Sequence, residues 1–340
     1  MPETGALERI ALAETGRMTT RLGFGCSGLM GGISERESLR LLETAYDAGI
    51  RHFDVAPSYG HGMAERCLGK FLRGKQAQVT VTTKYGIFPP RHSGFLDVAR
   101  RCARPIVMQF PALRQRVAQA AARGKTQAHF SVAEARASLT RSLRELGLER
   151  IDLWLLHEAT ADDLTDGALL DFLQEQVRQG RIGGFGVGSG AERVPALWEK
   201  RRAYCRVLQF EWPGFGVDVL QFPGAFLIHH RVVQRHFVEL SAILEQDKGR
   251  LQLWSSAVDV DLADRQVRVA LLLYAALRRQ PGRMVLFSSR RPAHILANVH
   301  AAADVRWNEQ VQRFSGLVLR MGASLPGDDS TAGPVHRPFT

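Results

Sequence analysis

The sequence predicts a closed (β/α)8 barrel of the TIM type, formed by a single domain with large insertions in two of its loops. Short apolar runs alternate with amphipathic stretches along most of the 340 residues, and about eight such runs can be counted. Strict alternation of strands and helices implies right-handed crossovers and a parallel sheet. Eight units fit a barrel, which takes about 250 residues before insertions. A doubly wound sheet is the competing architecture.

The expected strands are short apolar runs, and the expected helices are longer segments with apolar residues on one face. The strands span residues 22–26, 51–54, 79–83, 151–156, 182–187, 206–210, 251–254 and 284–287. The helices span residues 35–48, 131–146, 163–179, 230–246, 263–279 and 292–303. Ser34 precedes the first helix as an N-cap, and Ser131 and Glu134 have the spacing of a capping box. Gly147 and Gly180 follow helices as C-caps.

Residues 19–321 are predicted to form the barrel domain, with residues 1–18 as an N-terminal extension and residues 322–340 as a disordered tail. Insertions interrupt the alternation at about residues 85–130 and 214–229. The first insertion contains a helical pattern near residues 113–123 and four phenylalanines that suggest a partly apolar lid, Phe88, Phe95, Phe110 and Phe130. Loops that follow strands lie on the face of a barrel that carries its active site.

Charge and composition narrow the class of partner. The formal net charge of +11 favours anionic partners. The arginines are scattered and form no basic stripe interleaved with aromatic residues, so no nucleic-acid partner is predicted. No apolar run approaches the roughly 20 residues of a membrane span, and the N-terminus has no signal-like apolar core. We therefore expect a cytoplasmic protein without a membrane partner, present as a monomer or weak homo-oligomer.

Four cysteines are widely spaced and form no C-x-x-C pair; they are Cys26, Cys67, Cys102 and Cys205. This spacing predicts free thiols rather than a disulfide framework or a metal site.

Gly23, Gly25 and Gly28 match the G-x-G-x-x-G pattern of dinucleotide-binding loops. In that motif a helix begins within the pattern, so that its N-terminus meets the pyrophosphate. Here residues 29–34 intervene before helical periodicity begins at Glu35. We therefore interpret the pattern as a glycine-rich strand end that lines a pocket.

Four polar residues stand at the ends of predicted strands, where apolar residues would be expected. Asp54 ends the second strand and Tyr59 follows five residues later, while Lys84 and His157 end the third and fourth strands. Taken singly, each has an ordinary explanation as a cap, a solvent-facing residue or a core residue. Because the ends of parallel barrel strands converge on one rim, their joint occurrence predicts a site.

These residue types suit proton transfer to a carbonyl oxygen. Tyrosine, with an ordinary pKa of about 10, is a weak acid near neutral pH. We expect a Lys84 ammonium to lower the pKa of Tyr59, Asp54 to hold Lys84, and a neutral His157 to orient a carbonyl group. The accompanying hydride requires a nicotinamide cofactor, because no side chain provides one.

Several motifs, in the expected order, resemble the signature of the aldo-keto reductase superfamily. They are Asp54-Val-Ala-Pro-Ser-Tyr-Gly60 with Glu65 and Leu68-Gly69, Thr82-Thr-Lys84, Asp152-Leu-Trp-Leu-Leu-His157, and Gly180-Arg-Ile-Gly-Gly-Phe-Gly-Val187. The likeness runs from about Arg21 to Ala303. It implies a (β/α)8 barrel that binds NADP(H) across the carboxyl ends of its strands without a metal ion. It also implies that Tyr59 is the general acid/base, that Lys84 tunes it, that Asp54 pairs with Lys84 and that His157 positions the substrate.

The resemblance further assigns the cofactor contacts. Nicotinamide contacts fall on Ser189, Gln209, Trp254 and Ser255. Gly188 and Ser189 stand where the family usually has Ser-Asn, and Trp254 where a tyrosine usually stacks on the nicotinamide ring. Contacts with the phosphate and adenine end fall on Ser289, Arg290, Arg291, His294 and Asn298. Arg290, helped by Arg291, favours NADP over NAD by binding the 2′-phosphate.

Three functions remain open from the sequence. The first is an NADP(H)-dependent reductase that converts a small-molecule carbonyl into an alcohol. The second is a sugar or lactol dehydrogenase that runs the same chemistry in the oxidative direction. The third is a non-catalytic NADPH-binding regulatory subunit, which the intact set of four polar residues disfavours.

Overall fold

In the computed structural model, which describes residues 5–88, 130–215, 222–278 and 282–323, eight parallel strands close into a barrel. An antiparallel hairpin of β1 (Arg9–Ala11) and β2 (Met18–Thr20) precedes it. The barrel strands are β3 (Leu22–Gly25), β4 (His52–Asp54), β5 (Thr80–Tyr85), β6 (Ile151–His157), β7 (Ile182–Gly188), β8 (Val207–Glu211), β9 (Phe226–His230) and β10 (Met284–Phe287). Because β10 pairs with β3, the sheet has no open edge, which confirms the barrel and excludes the doubly wound alternative.

Helices cover the outside of the barrel. The described helices are α1 (Glu35–Asp47), α2 (Ala64–Leu72), α3 (Val132–Leu146), α4 (Gly167–Arg178), α5 (Val194–Lys200), α6 (Gln234–Gln246), α7 (Lys248–Val258), α8 (Arg265–Arg278), α9 (Pro292–Ala303) and α10 (Trp307–Ala323). The predicted caps are confirmed at Ser34, whose side chain accepts from the Glu37 amide, and at Gly147, which is left-handed with φ 63°. Such caps satisfy backbone groups that the helix itself leaves without a partner.

The prediction of the seventh strand was wrong. Residues 251–254 lie in α7, which Asp247 caps by accepting from the Arg250 amide at 2.9 Å. The strand is β9, which begins inside the segment predicted as an insertion at residues 214–229 and ends one residue beyond it. A four-residue apolar run fits either a strand or one turn of a helix, and periodicity alone does not separate the two. The helix predicted at residues 230–246 consequently begins only at Gln234.

Other differences concern the boundaries of the domain. The helix α10 was not predicted, and it includes Gly322, which had been placed in the tail; residues 324–340 lie outside the described residues. Most of the first insertion, with its helical pattern at residues 113–123, Phe95 and Phe110, also lies outside them. Its two described phenylalanines, Phe88 and Phe130, pack edge-on against Tyr85 at ring distances of 6.2 and 5.6 Å.

The N-terminal hairpin packs against one end of the barrel. Leu12, between its strands, is fully buried against Leu153, Leu155 and other residues from inside the barrel. Arg17 ties the hairpin to the start of β5 by donating to the carbonyl oxygen of Ala77 at 2.7 Å. The opposite end, where the strands finish, is therefore the open one.

No helix within the described ranges combines the length and the hydropathy that a bilayer-spanning segment needs.

The hairpin plug can be tested by Leu12→Ala. Removing a fully buried leucine leaves a cavity inside the barrel, so the free energy of unfolding should fall by about 2–5 kcal/mol. Urea denaturation measures this loss. Met18→Ala is the matched control, because Met18 belongs to the same hairpin and is 51% exposed. Equal effects of the two substitutions would contradict the plug.

Candidate active site

A cavity of about 780 Å³ lies at the carboxyl ends of the barrel strands, and each of the eight strands contributes to it. The strand residues that line it are Gly25, Asp54, Lys84, His157, Gly188, Gln209, His230, Leu286 and Phe287. All but Gln209, which lies two residues before the end of β8, stand at or next to the end of their strand. Convergence of strand ends thus brings residues from distant parts of the sequence to one place.

The four polar residues predicted to form a site lie together in this cavity. Lys84 Nζ donates to Asp54 Oδ1 at 2.6 Å and to the carbonyl oxygen of Val55 at 3.2 Å. The same ammonium lies 5.2 Å from the centre of the Tyr59 ring. The rings of Tyr59 and His157 meet edge to face, with 6.1 Å between their centroids.

Burial and charge act in opposite directions on this cluster. Burial tends to lower the pKa of Lys84, but the neighbouring Asp54 and Tyr59 raise it, and the net direction is upward. Burial raises the pKa of Tyr59 more than the Lys84 ammonium lowers it. The expected effect of Lys84 on the pKa of Tyr59 is therefore present, but burial is the largest cause and the net direction is upward. Tyr59 is a neutral phenol, and hence a proton donor, at neutral pH.

The imidazoles of His157 and His230 are uncharged at neutral pH. Burial, followed by the Lys84 ammonium and His230, lowers the pKa of His157 to about 3. The same two main causes lower the pKa of His230 to about 3. Nδ1 of His157 is buried and accepts from or donates to no described residue. His157 can therefore offer a neutral hydrogen-bonding group to a ligand in the cavity.

A tight turn after β4 presents Tyr59. Its amide donates to the carbonyl oxygen of Ala56 at 3.0 Å, and Gly60 follows in the left-handed region with φ 57°. A Cβ atom at Gly60 would lie 2.5 Å from the carbonyl oxygen of Leu29, so only glycine lets the turn pack this closely against the loop after β3. Next to Lys84, Thr83 Oγ1 donates to the buried carboxylate of Glu65 at 2.7 Å, which fixes α2 against β5.

The other end of the cavity is formed by residues that follow β10. Ser289, His294 and Asn298 line it. The exposed Arg290 lies beside Gly28, where a Cβ atom would come within 3.5 Å of its Nε. Arg291 is also exposed, and its amide donates to Ser289 Oγ at 3.1 Å. These residues surround the N-terminus of α9, whose dipole favours an anion.

Gln209 and Ser189 have different environments. Gln209 lines the cavity and donates from Nε2 to Asp54 Oδ2 at 2.8 Å, while its Oε1 is buried and accepts from no described residue. Ser189 is 3% exposed, and its hydroxyl donates to the carbonyl oxygen of Ala159 at 2.9 Å. The amide oxygen of Gln209 is thus available to a ligand, and the Ser189 hydroxyl is engaged elsewhere.

The structure does not bring Trp254 and Ser255 to the cavity, because they lie in α7 and not at a strand end. Trp254 packs against Phe314 at a ring distance of 6.4 Å, and Ser255 Oγ accepts from the Leu262 amide. The residue that ends the seventh barrel strand is His230, which was not predicted as a site residue. Its signal is the histidine pair after an apolar run, the same pattern that identified His157.

Two cationic residues that were not predicted, Arg231 and Arg265, also line the cavity. Arg231 follows β9 directly and lies 3.7 Å from Glu211. The guanidinium of Arg265 stacks over the Phe237 ring at 4.9 Å, and no ion pair joins it to a described carboxylate. No local sequence pattern indicates that these two arginines line the cavity, because their location depends on the path of the chain after β9.

The chain is similar to known proteins both in sequence and in fold. D-threo-aldose 1-dehydrogenase from Pseudomonas sp is 34% identical over 190 residues, which are 53% of this chain and 53% of that protein. The chain thus matches about half the length of this curated relative. The structure of the glycerol dehydrogenase from Gluconobacter oxydans superposes with a TM-score of 0.65 at 18% identity, covering 96% of this chain and 99% of that one. An aldo/keto reductase from Klebsiella pneumoniae, in complex with NADP and acetate, gives 0.62 at 16% identity, covering 92% and 96%. At these identities the structures show a shared fold.

A family model described as the aldo/keto reductase family matches residues 21–215, which is more than half of the chain. The matched region begins just before β3 and extends past β8, so it includes Asp54, Tyr59, Lys84 and His157. The resemblance seen in the sequence motifs is confirmed: the chain belongs to the aldo/keto reductase family.

Proposed function

We propose that the protein is an NADP(H)-dependent oxidoreductase that interconverts a small-molecule carbonyl and its alcohol, with Tyr59 as the general acid/base. The observation that carries this proposal is the contact of Lys84 with both Asp54 and Tyr59 inside one cavity, next to a neutral His157. Family membership supports the reaction class.

Each of these residues has a part in moving one proton. In the reductive direction the neutral phenol of Tyr59 gives its proton to the carbonyl oxygen as negative charge develops there. The Lys84 ammonium stabilises the phenolate that is left, and Asp54 holds that ammonium in place. His157 orients the carbonyl by a hydrogen bond from its neutral imidazole. In the oxidative direction the Tyr59 phenolate takes the proton from the alcohol.

The residues of the cavity fit a nicotinamide dinucleotide. A bound nicotinamide supplies or accepts the hydride. The buried, unpartnered Oε1 of Gln209 suits a carboxamide N–H, and Ser289, His294 and Asn298 suit the phosphate and adenine end. Arg290, beside Gly28, and Arg291, next to Ser289, add positive charge outside the lining of the cavity. Arg231 and Arg265 add positive charge that an anionic diphosphate requires.

Three of the nicotinamide contacts implied by the resemblance change. His230 ends the seventh barrel strand and lines the cavity, so it takes the place of Trp254 as the candidate ring partner of the nicotinamide. Ser255 is left out with Trp254, because both belong to α7. Ser189 keeps only a supporting role beside Gln209, since its hydroxyl is bonded to Ala159.

The oxidative direction is the second candidate, because the relatives include a D-threo-aldose 1-dehydrogenase. A lactol or sugar hydroxyl would give its proton to Tyr59 and use the same cavity. Initial rates with NADPH and a panel of aldehydes and ketones, and with NADP and a panel of aldoses and polyols, separate the two directions. Binding of NADPH without turnover of any panel member would favour a regulatory subunit.

Tyr59→Phe tests the role of the phenol. Loss of the hydroxyl removes the proton donor but keeps the ring, so turnover should fall to background while the Kd of NADPH stays within a few-fold. Rates and fluorescence titration measure the two quantities. Tyr46→Phe is the control, since the Tyr46 hydroxyl donates to Gln78 outside the cavity. Retained turnover in Tyr59→Phe would exclude Tyr59 as the acid.

Arg290→Ala tests the choice of cofactor. If Arg290 binds the 2′-phosphate, its loss should weaken NADPH by about 10- to 100-fold, the effect of a charge-assisted hydrogen bond, and leave NADH nearly unchanged. Titration with both nucleotides gives the two affinities. Arg250→Ala serves as the control, because Arg250 lies on α7 outside the cavity and its side chain is 41% exposed. Equal weakening of NADPH and NADH would remove Arg290 from the phosphate site.

A further inference from the structure

Asp54 holds two side chains at once. One carboxylate oxygen accepts from Lys84 Nζ at 2.6 Å and the other from Gln209 Nε2 at 2.8 Å. All three side chains are nearly fully buried, with 4%, 3% and 2% exposure for Asp54, Lys84 and Gln209. The residue that pairs with Lys84 is therefore also the hydrogen-bond partner of Gln209 on β8.

This contact fixes which end of the Gln209 amide faces the cavity. A carboxylate accepts hydrogen bonds and donates none, whereas a primary amide has a donor end and an acceptor end. Reversing the amide would place Oε1 against Asp54 Oδ2 and bring two acceptors together. Asp54 therefore holds the NH₂ group towards itself and turns Oε1 away.

The other end of the amide, the Oε1 atom that faces the cavity, is a buried acceptor without a donor in the described part of the chain. No described residue donates to Gln209 Oε1, and a buried acceptor without a partner is costly. Gly188, at the end of β7, leaves space in front of it. A Cβ atom at that position would lie 3.1 Å from Oε1 and 3.8 Å from Lys84 Cε. Gly188 and Gln209 thus form a notch in the cavity wall. In this notch Gln209 Oε1 can accept a hydrogen bond from a ligand, while the Gln209 NH₂ group points to Asp54 and donates nothing to the ligand.

We infer that Asp54 is a positioning residue for cofactor recognition: by orienting Gln209, it makes this notch selective for a nicotinamide that carries an N–H donor. The inference rests on the proposed function, because the ligand is the nicotinamide dinucleotide. The site then discriminates against a cofactor whose carboxamide NH₂ is replaced by a methyl group. The same carboxylate connects this recognition with the Lys84–Tyr59 pair.

The test compares the Kd of NADP with that of its 3-acetylpyridine analogue, in which a methyl group replaces the NH₂. Isothermal titration of the full chain gives both constants without turnover. The wild-type protein should bind NADP about tenfold more tightly than the analogue. Gln209→Leu should bring this ratio close to one, because the acceptor is gone.

Asp54→Asn tests the orientation itself. Its amide can donate to Gln209 Oε1, which turns the Gln209 NH₂ group towards the ligand and should lower the ratio several-fold. Gln176→Leu is the matched control, because Gln176 is equally buried but lies on α4 and accepts from Arg181. It should keep the wild-type ratio. Since each ratio compares two ligands on one protein, a loss of folded protein affects both affinities alike.

A wild-type ratio near one, or an unchanged ratio in Asp54→Asn, would overturn the inference and leave the proposed function standing. A wild-type protein that binds neither nucleotide would contradict the proposed function as well.

Discussion

The buried ion pair between Lys84 and Asp54 is the interaction on which the site depends. Both side chains are at most 6% exposed, and removing two charges from water costs several kcal/mol for each ion. Their mutual attraction recovers this cost only if the remaining hydrogen-bonding positions are filled. Val55 and Gln209 fill two of them, so strands β4, β5 and β8 are held in one arrangement. The main effect of the pair is therefore to fix the relative positions of these strand ends, and its net contribution to the free energy of unfolding is small.

The closed barrel makes this constraint possible. β8 is not a neighbour of β4 in the sheet, yet Gln209 reaches Asp54 across the barrel mouth. At the opposite end the hairpin plug, with Leu12 at its centre, closes the barrel against solvent. The polar residues are therefore concentrated at one end, where the loops after the strands give a ligand access. Tyr59 and His157 are partly buried at this end, and their burial favours the uncharged form of both side chains.

Much of the site could be predicted because polar residues at the ends of apolar runs are conspicuous. Asp54, Lys84 and His157 were found in this way. The same pattern gave a wrong prediction at residues 251–254. Trp254 ends an apolar run there, but the run is one turn of α7 and not a strand. The contact between Gln209 and Asp54 has no sequence signal, because it depends on the diameter of the barrel. The net direction of the Tyr59 pKa was missed because burial, which a sequence does not give, outweighs the charge of Lys84.

The central claim is that the Lys84 ammonium acts on the phenol of Tyr59. The most direct measurement is an NMR titration of the ¹³Cζ resonance of Tyr59 in protein labelled at tyrosine, compared between the wild type and Lys84→Met. The ammonium lowers the pKa of Tyr59 against the effect of burial, so the variant should titrate at a higher pH than the wild type. The resonances of the other tyrosines report whether the fold is intact. Titration of Tyr59 at the same pH in both proteins would contradict the account.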